Sequence, residues 1–487
     1  MTRFSVPLTL ALLLFGCASP VTKVPPAPRT FATLLSESPY SAFKAAIDTL
    51  LPDTLFPPSN VGIKVVSLRT GETLYELNAD MLFNPASNEK LFTAAAALSL
   101  LGEEYPLETL FFVDSAAGII GVKPHGDPLL STADADSIAG LLAPLLPPRE
   151  SWKLVCDISY FDDLHRGSGW TWDSEPAAYA AYITPLILNG NSIQVSVRPG
   201  ATTGDTVIVQ TDPFTNYVSI ENLGVTVADT VRERLRISRK WRERLNVITV
   251  TGETIDTLRG REVSLSLWDP DHYAATVLAE RLNRVGVPVG PVTLDTSRLS
   301  GTEVLRFSHR LDSAVTFMAK ISDNLTAEAL LKVLGAERFG PPGSAEGGIS
   351  VVHQFLSEKG IDTTRMILAD GSGVSRYNLT SASAIIDLLR AMHRSEDHFP
   401  AFYHALPVAG VDGTIGHRMK GTMAEGNLRA KTGTLSGVSA LSGYVTTREG
   451  ELLAFSILMQ NYHTSSRHYR KVQDSIGRVL AESSRQE

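Results

Sequence analysis

Ser87-Asn88-Glu89-Lys90 and Ser322-Asp323-Asn324 are separated by 231 residues, and Lys431-Thr432-Gly433 follows further on. Connections inside a compact domain rarely exceed about 15 residues without structure of their own. If the three peptides share one site, the interval must fold independently and the site-bearing body must be split around it. A chain of 487 residues is in any case too long for one ordinary domain.

The pattern along the chain supports a split body. Apolar residues at helical spacing predict a helix over 31–51. Val61–Val66 and Thr73–Leu77 predict a hairpin turning at Thr70-Gly71, at the edge of a sheet. Pro85-Ala86 leads into Lys90–Leu100, which is alanine-rich and apolar almost all round, as a buried helix is. Between about 109 and 302 valines, threonines and turns dominate. Trp152–Asp157, Ser192–Arg198, Ile208-Val209 and Val247–Val250 are strand candidates there, and Asp271–Val285 is the clearest helix. Helix returns from Phe317. The chain closes with two adjacent strands, 437–445 and 451–460, and a helix over 465–483. The expected organisation is a signal peptide at 1–16 and a proline-rich tether at 17–30. A catalytic domain then runs over 31–108 and 303–487, around a strand-rich insertion at 109–302. The insertion is read as two nested domains, 109–150 with 255–302, and 151–254.

The first residues read as an export signal. One positive charge precedes the run Phe4–Gly16, which is too short to span a bilayer as a stable helix. It ends in Leu14-Phe15-Gly16-Cys17, which resembles a bacterial lipoprotein cleavage box, so Cys17 is the expected lipidation site. The expected location is periplasmic and lipid-anchored to a membrane, with the outer membrane favoured by Ala18-Ser19. The alternative is a soluble periplasmic protein. With Cys17 acylated, Cys156 has no intrachain partner and reads as a small buried residue.

Composition narrows the partners. Hydrophobic residues make up 43% and charged residues 20%, as in a folded globular protein, and the net charge of -8 argues against general nucleic-acid binding. The 11 histidines are scattered, with no cysteine, histidine or carboxylate cluster at metal spacing, so neither a metal nor another cofactor is expected. The basic run Arg232–Arg244 has two readings: contact with an acidic wall polymer or anionic membrane, or a solvated face with interspersed acids.

The three peptides supply what an acyl-transferring serine needs. Ser87 and Lys90, three apart, share a helix face. A serine hydroxyl needs a base, and a lysine amine serves once burial and nearby positive charge lower its pKa. Ser322, with Lys90 or Lys431 beside it, would relay a proton to the leaving amine, and Asn324 would hold a peptide-like substrate. Lys431 supplies positive charge for a substrate carboxylate, and Thr432 and Thr434 supply hydroxyls. Gly433 lets a ligand lie against the backbone of an edge strand. The N–H groups of Ser87 and Thr434 would form the oxyanion hole. Each peptide alone is weak evidence, but the three together, in order, are the S-x-x-K, S-D-N and K-T-G set of penicillin-recognising serine enzymes.

Beyond these, the blocks Phe83–Leu98, Gly126-Asp127-Pro128, Gly169–Asp173, Leu188–Ile193, Asp370–Arg376 with Asn378, and Leu406–Thr414 resemble peptidase family S13. These are class C low-molecular-mass penicillin-binding proteins with D-alanyl-D-alanine carboxypeptidase and endopeptidase activity. The resemblance runs from about Phe31 to the C-terminus. It implies an α+β, penicillin-binding/β-lactamase-like transpeptidase fold with strand-rich nested insertion domains. It further implies that Ser87 is the nucleophile, Lys90 the acylation base and Ser322 the proton relay, with Asn324, Lys431, Thr432 and Thr434 holding substrate. The substrates implied are peptidoglycan stem peptides and cross-links, and β-lactams are the implied covalent inhibitors. The alternatives are a β-lactamase or esterase with the same Ser-Lys apparatus, or a non-enzymatic cell-wall scaffold.

Overall fold

The computed structural model describes residues 41–51, 59–228, 234–295 and 299–484. The expected signal peptide, Cys17, the tether and the first part of the 31–51 helix lie outside the described residues.

Both ends of the chain build one antiparallel sheet. Its strand order is Arg429–Leu435, Val438–Thr446, Leu452–Gln460, Asn60–Ser67, Thr73–Leu77. Asn60 pairs with Gln460 and Ser67 with Leu453, so residues almost 400 apart in sequence are hydrogen-bonded neighbours. The central strands Val438–Thr446 and Leu452–Gln460 are buried along nearly their whole length. They are buried on both faces because helices cover both. On one face lie Ser41–Leu50 and Ser466–Glu482, the latter burying Tyr469, Val472, Ile476 and Leu480 at three- and four-residue spacing. On the other lie Lys90–Leu101, Leu311–Ile321, Asn324–Phe339, Ala345–Glu358, Ala382–His393 and Phe399–Ala405. Every residue from Lys90 to Leu98 is buried, as the absence of a polar stripe predicts.

The chain leaves this body and returns to it at one place. Leu311 N–H donates to Tyr105 O at 2.9 Å and Asp312 N–H to Glu103 O at 3.0 Å. Pro106–Asp114 then pairs antiparallel with Thr302–Arg310. The cuts expected at 108/109 and 302/303 therefore fall inside two paired strands. These strands belong to a second five-stranded sheet, ordered Val289–Asp295, Trp152–Asp157, Ile119–Pro124, Pro106–Asp114, Thr302–Arg310. Trp152–Asp157 runs parallel to both its neighbours. A parallel neighbour requires a long crossover, and helix Thr132–Leu142 lies within the one from Ile119–Pro124. The strand at 152 thus sits in the outer sheet, ahead of the inner segment to which a cut at 151 assigns it. Its Cys156 is fully buried with Leu154 against helix Pro270–Arg284, and burial pushes the thiol pKa up.

The innermost segment forms two three-stranded sheets. Ser192–Arg198 lies between Arg261–Ser266 and Ile208–Asp212, and Val247–Ile255 between Ser219–Val227 and Arg236–Arg239. The described part of the basic run is a strand followed by a turn. Arg236 and Arg242 are exposed, while Arg239 is buried and bonded to Glu175 at 3.0 Å. Among the described residues no helix is long and apolar enough to cross a membrane.

Candidate active site

Ser87 lies in a 3-10 turn, Ala86–Glu89, that runs directly into the α-helix beginning at Lys90. The turn is held in an unusual shape. Ala86 has φ +46°, a left-handed conformation unfavourable for a residue with a Cβ, and its N–H is held by the Asn84 side chain at 3.0 Å. Two glycines make room for it. A Cβ on Gly433 would lie 2.6 Å from Pro85 O, and one on Gly373 would lie 1.9 Å from Ala86 O. The space at Gly433, expected for a ligand, is filled by the protein's own nucleophile turn.

Lys90 is 1% exposed, and its Nζ contacts three oxygens: Ser87 Oγ at 3.1 Å, Asn324 Oδ1 at 2.7 Å and Ser372 O at 2.6 Å. The amide and carbonyl oxygens can only accept. A neutral amine gives its two protons to them and directs its lone pair at the Ser87 hydroxyl. Burial pushes the Lys90 pKa down to about 8. The charges around it act against the expectation of a positive neighbourhood: Asp370, Asp323, Glu328 and Glu89 all favour the ammonium. Glu89 and Glu328 are themselves 1% exposed. Burial and the neighbouring Asp370 push Glu328 up to about 8 and Glu89 well above the usual carboxylate range. Glu328 accepts from Gly371 N–H and Ser372 N–H, the latter at 2.8 Å, and so fixes the loop whose carbonyl holds Lys90.

In the S-D-N tripeptide each residue has its own task, which explains a polar break inside an apolar helical run. Ser322, at φ +64°, ends helix Leu311–Ile321. Asp323 caps the next helix by accepting from Thr326 N–H at 2.7 Å. Asn324 starts that helix, and its Nδ2 donates to Tyr179 O at 2.8 Å. Both ends of the Asn324 amide are therefore engaged, one by Lys90 and one by the insertion.

Lys431 lies on the edge strand Arg429–Leu435, and its Nζ donates to Ser322 Oγ at 2.8 Å and Thr432 O at 3.0 Å. It is 1% exposed, and burial, reinforced by Lys90, pushes its pKa well below the ordinary lysine value. Thr432 Oγ1 meets Thr414 Oγ1 at 2.8 Å. Thr434 lines the same cleft as Ser87, Ser322 and Asn324. Ala430 N–H donates outward to Pro407 O. By the period-two alternation of a strand, the N–H groups of Thr432 and Thr434 also face away from the sheet, toward the cleft.

The cleft holds about 530 Å³, and Thr171, Ser174 and Tyr179 of the insertion form part of its wall. Arg376 is the one charged side chain among its lining residues, and its Nη1 donates to Ser436 O at 2.9 Å. Sequence reasoning gave no role to Arg376, Thr414, Tyr179, Glu89, Glu328 or Asp370. Asp370, 2% exposed, accepts from Gly373 N–H, Ser375 N–H, Asn378 Nδ2 and Trp170 Nε1. A signal for Asp370 and Arg376 exists in the polar, glycine-rich run Asp370–Asn378, where no helix or strand period accounts for the acid. Among the described residues no group of histidine, cysteine and carboxylate side chains could hold a metal.

A buried lysine aimed at a serine, behind a sheet edge, defines a serine acyl-transfer enzyme of the penicillin-binding type. Residues 43–483 match the D-Ala-D-Ala carboxypeptidase 3 (S13) family model, and the chain belongs to that family. A D-alanyl-D-alanine carboxypeptidase of Actinomadura sp. (strain R39) is 36% identical over 481 residues, spanning 92% of this chain and 88% of the relative. The crystal structure of penicillin binding protein 4 from Haemophilus influenzae matches with a TM-score of 0.76 at 24% identity. It covers 90% of this chain and 98% of its own. A second structure of that protein, complexed with a β-lactam, matches with a TM-score of 0.70 at 23% identity, covering 89% and 97%. The expected α+β fold of the penicillin-binding class is the fold of this chain, and the chain is a serine-type D-Ala-D-Ala carboxypeptidase.

Proposed function

We propose the following roles within this activity. Ser87 Oγ attacks the carbonyl carbon of the penultimate D-alanine of a peptidoglycan stem while its proton passes to Lys90 Nζ. The oxyanion is held by the N–H groups of Ser87 and Thr434. Collapse breaks the peptide bond, and Ser322, backed by Lys431, delivers a proton to the departing amine. Water then releases the acyl group from Ser87. Thr432 and Thr434 hold the substrate carboxylate beside Lys431 and the guanidinium of Arg376, and Asn324 keeps Lys90 aligned. The observation that carries this reading is the Lys90 environment, where two obligate acceptors at 2.7 Å and 2.6 Å leave the amine lone pair for Ser87.

The same attack on a lactam carbonyl makes β-lactams covalent inhibitors, as the β-lactam complex of the structural neighbour suggests. The D,D-cross-link, which presents the same D-alanyl carbonyl, is a second substrate. The segments up to Tyr105 and from Leu311 onward act as the catalytic domain, and 106–310 as the insertion. The mature protein is periplasmic and held to a membrane by lipid on Cys17.

The test is a labelled penicillin with intact-mass readout on wild type and Ser87→Ala. A stable adduct, lost on mutation, is expected. Rapid turnover of the adduct points to a β-lactamase, and no adduct with no D-alanine release refutes the peptidase roles. Digestion of purified muropeptide monomers and cross-linked dimers tests the cross-link activity. Dimers that persist while monomers lose D-alanine refute it. The mass of the exported chain tests the anchor, which requires acylation at Cys17.

A further inference from the structure

Trp172 is 69% exposed, the side chain least explained by packing around the cleft. It sits between Thr171 and Ser174, which both line the cleft. Its exposure is imposed from both sides. Two residues before it, Trp170 Nε1 donates to the buried Asp370 carboxylate at 2.9 Å. Three residues after it, the buried Glu175 carboxylate meets Arg239 at 3.0 Å and also bonds Arg166 and Tyr182. The segment between is pinned to the catalytic body at one end and to the inner sheets at the other, and it presents an indole to solvent.

A second indole comes to meet it from the basic run. Trp241 lies two residues after Arg239, so the ion pair that fixes Glu175 also sets Trp241 in place. The two ring centres are 5.8 Å apart with planes tilted by 40°. Arg242 is exposed, and its guanidinium lies 4.4 Å from the centre of the Trp241 ring. An arginine stacked on an indole keeps its in-plane N–H donors available for hydrogen bonds.

We propose that Trp172, Trp241 and Arg242 form a subsite for the glycan strand that carries the stem peptide, an inference that rests on peptidoglycan being the substrate. The faces of a pyranose are rows of C–H groups that pack on the electron-rich face of an indole. Its rim of hydroxyl and N-acetyl oxygens needs donors, which Arg242 offers. Two tilted rings with one guanidinium match a ring-sized amphiphile. A protein partner needs a far larger contiguous face, of order 1,000 Å², and the exposed Arg242, Glu243 and Arg244 beside the indole interrupt any such face. Continuity also favours sugar. The stem is covalently joined to the glycan, so weak contacts to the sugar raise the local concentration of the peptide at Ser87.

The test compares D-alanine release from a disaccharide-pentapeptide with release from the same pentapeptide lacking sugars, for wild type, Trp172→Ala and Arg242→Ala. Wild type is expected to show the lower KM on the sugar-bearing substrate. Trp172→Ala should raise that KM about 10-fold and leave both the sugar-free reaction and penicillin acylation unchanged. Arg242→Ala should act in the same direction more weakly. Separately, chitotetraose, which has no peptide, should perturb the indole fluorescence of wild type and not of Trp172→Ala. Equal KM on the two substrates, equal losses on both in the variants, or no fluorescence response in wild type overturns the subsite. If wild type is acylated by penicillin but shows no preference for sugar, only the subsite fails. If it is neither acylated nor releases D-alanine, the peptidase roles fail first.

Discussion

The environment of Lys90 makes acylation depend on pH in a defined direction. The folded amine titrates at about 8, below the ordinary lysine value, because it is buried. It is therefore charged at low pH and neutral above about 8, and the capacity to deprotonate Ser87 is lost as pH falls. For a base of this pKa the neutral fraction is about 1 in 100 at pH 6, about 1 in 10 at pH 7 and about 9 in 10 at pH 9. The second-order rate of acylation by a labelled penicillin, followed by quench and intact mass, should climb about tenfold per pH unit up to about pH 8 and then level off. Asp323→Asn supplies the matched perturbation. Asparagine keeps an acceptor for the Thr326 N–H. It also removes a carboxylate that favours the ammonium, so the acid limb should move to lower pH. A rate that is flat between pH 6 and 9, or a limb that moves upward in Asp323→Asn, refutes the assignment of Lys90 as base.

Gly373→Ala places a Cβ 1.9 Å from Ala86 O at a residue with φ +83°. Because small displacements at the nucleophile are costly to rate, acylation should fall by at least about 10-fold, and an unchanged rate would show that the turn does not need this contact. Asp323→Ala removes the cap on Thr326 N–H and should cost about 1 kcal/mol in urea unfolding, while a loss near zero would mean the cap is replaced. Asp271 is buried, accepts from Leu186 N–H at 3.0 Å and is pushed by burial up to about 7 from its ordinary 3.8. Between those values the folded chain holds a proton that the unfolded chain has lost, so stability falls as pH rises through that window. Asp271→Asn keeps the acceptor and removes the titration. Its stability relative to wild type should therefore grow from pH 4 to pH 8, and a constant difference contradicts the raised carboxyl.

Much of the architecture could be read from local pattern. Lys90–Leu98 lacks a polar stripe because it is buried all round. The hairpin of Asn60–Ser67 with Thr73–Leu77 turns where Thr70-Gly71 stands. Local pattern does not set the boundaries within the insertion. A strand such as Trp152–Asp157 carries the same alternation whichever sheet it joins, and only its parallel partners assign it. Likewise Arg239 reads as one more cation in a basic run until Glu175, 64 positions away, is seen beside it.

By itself the sequence determined the chemistry available: a serine, two lysines, a polar break in a helix and a glycine on an edge strand, in an order that names the family. Those are local properties, set by residue type, spacing and backbone preference. Which of the lysines faces the nucleophile with its lone pair was decided by the tertiary structure. Asn324 and Ser372 come from 234 and 282 positions away to take the Lys90 protons, and burial lowers the amine pKa against four carboxylates. Desolvation and hydrogen-bond direction depend on everything packed around a group, and in this chain most of what surrounds Lys90 comes from distant segments.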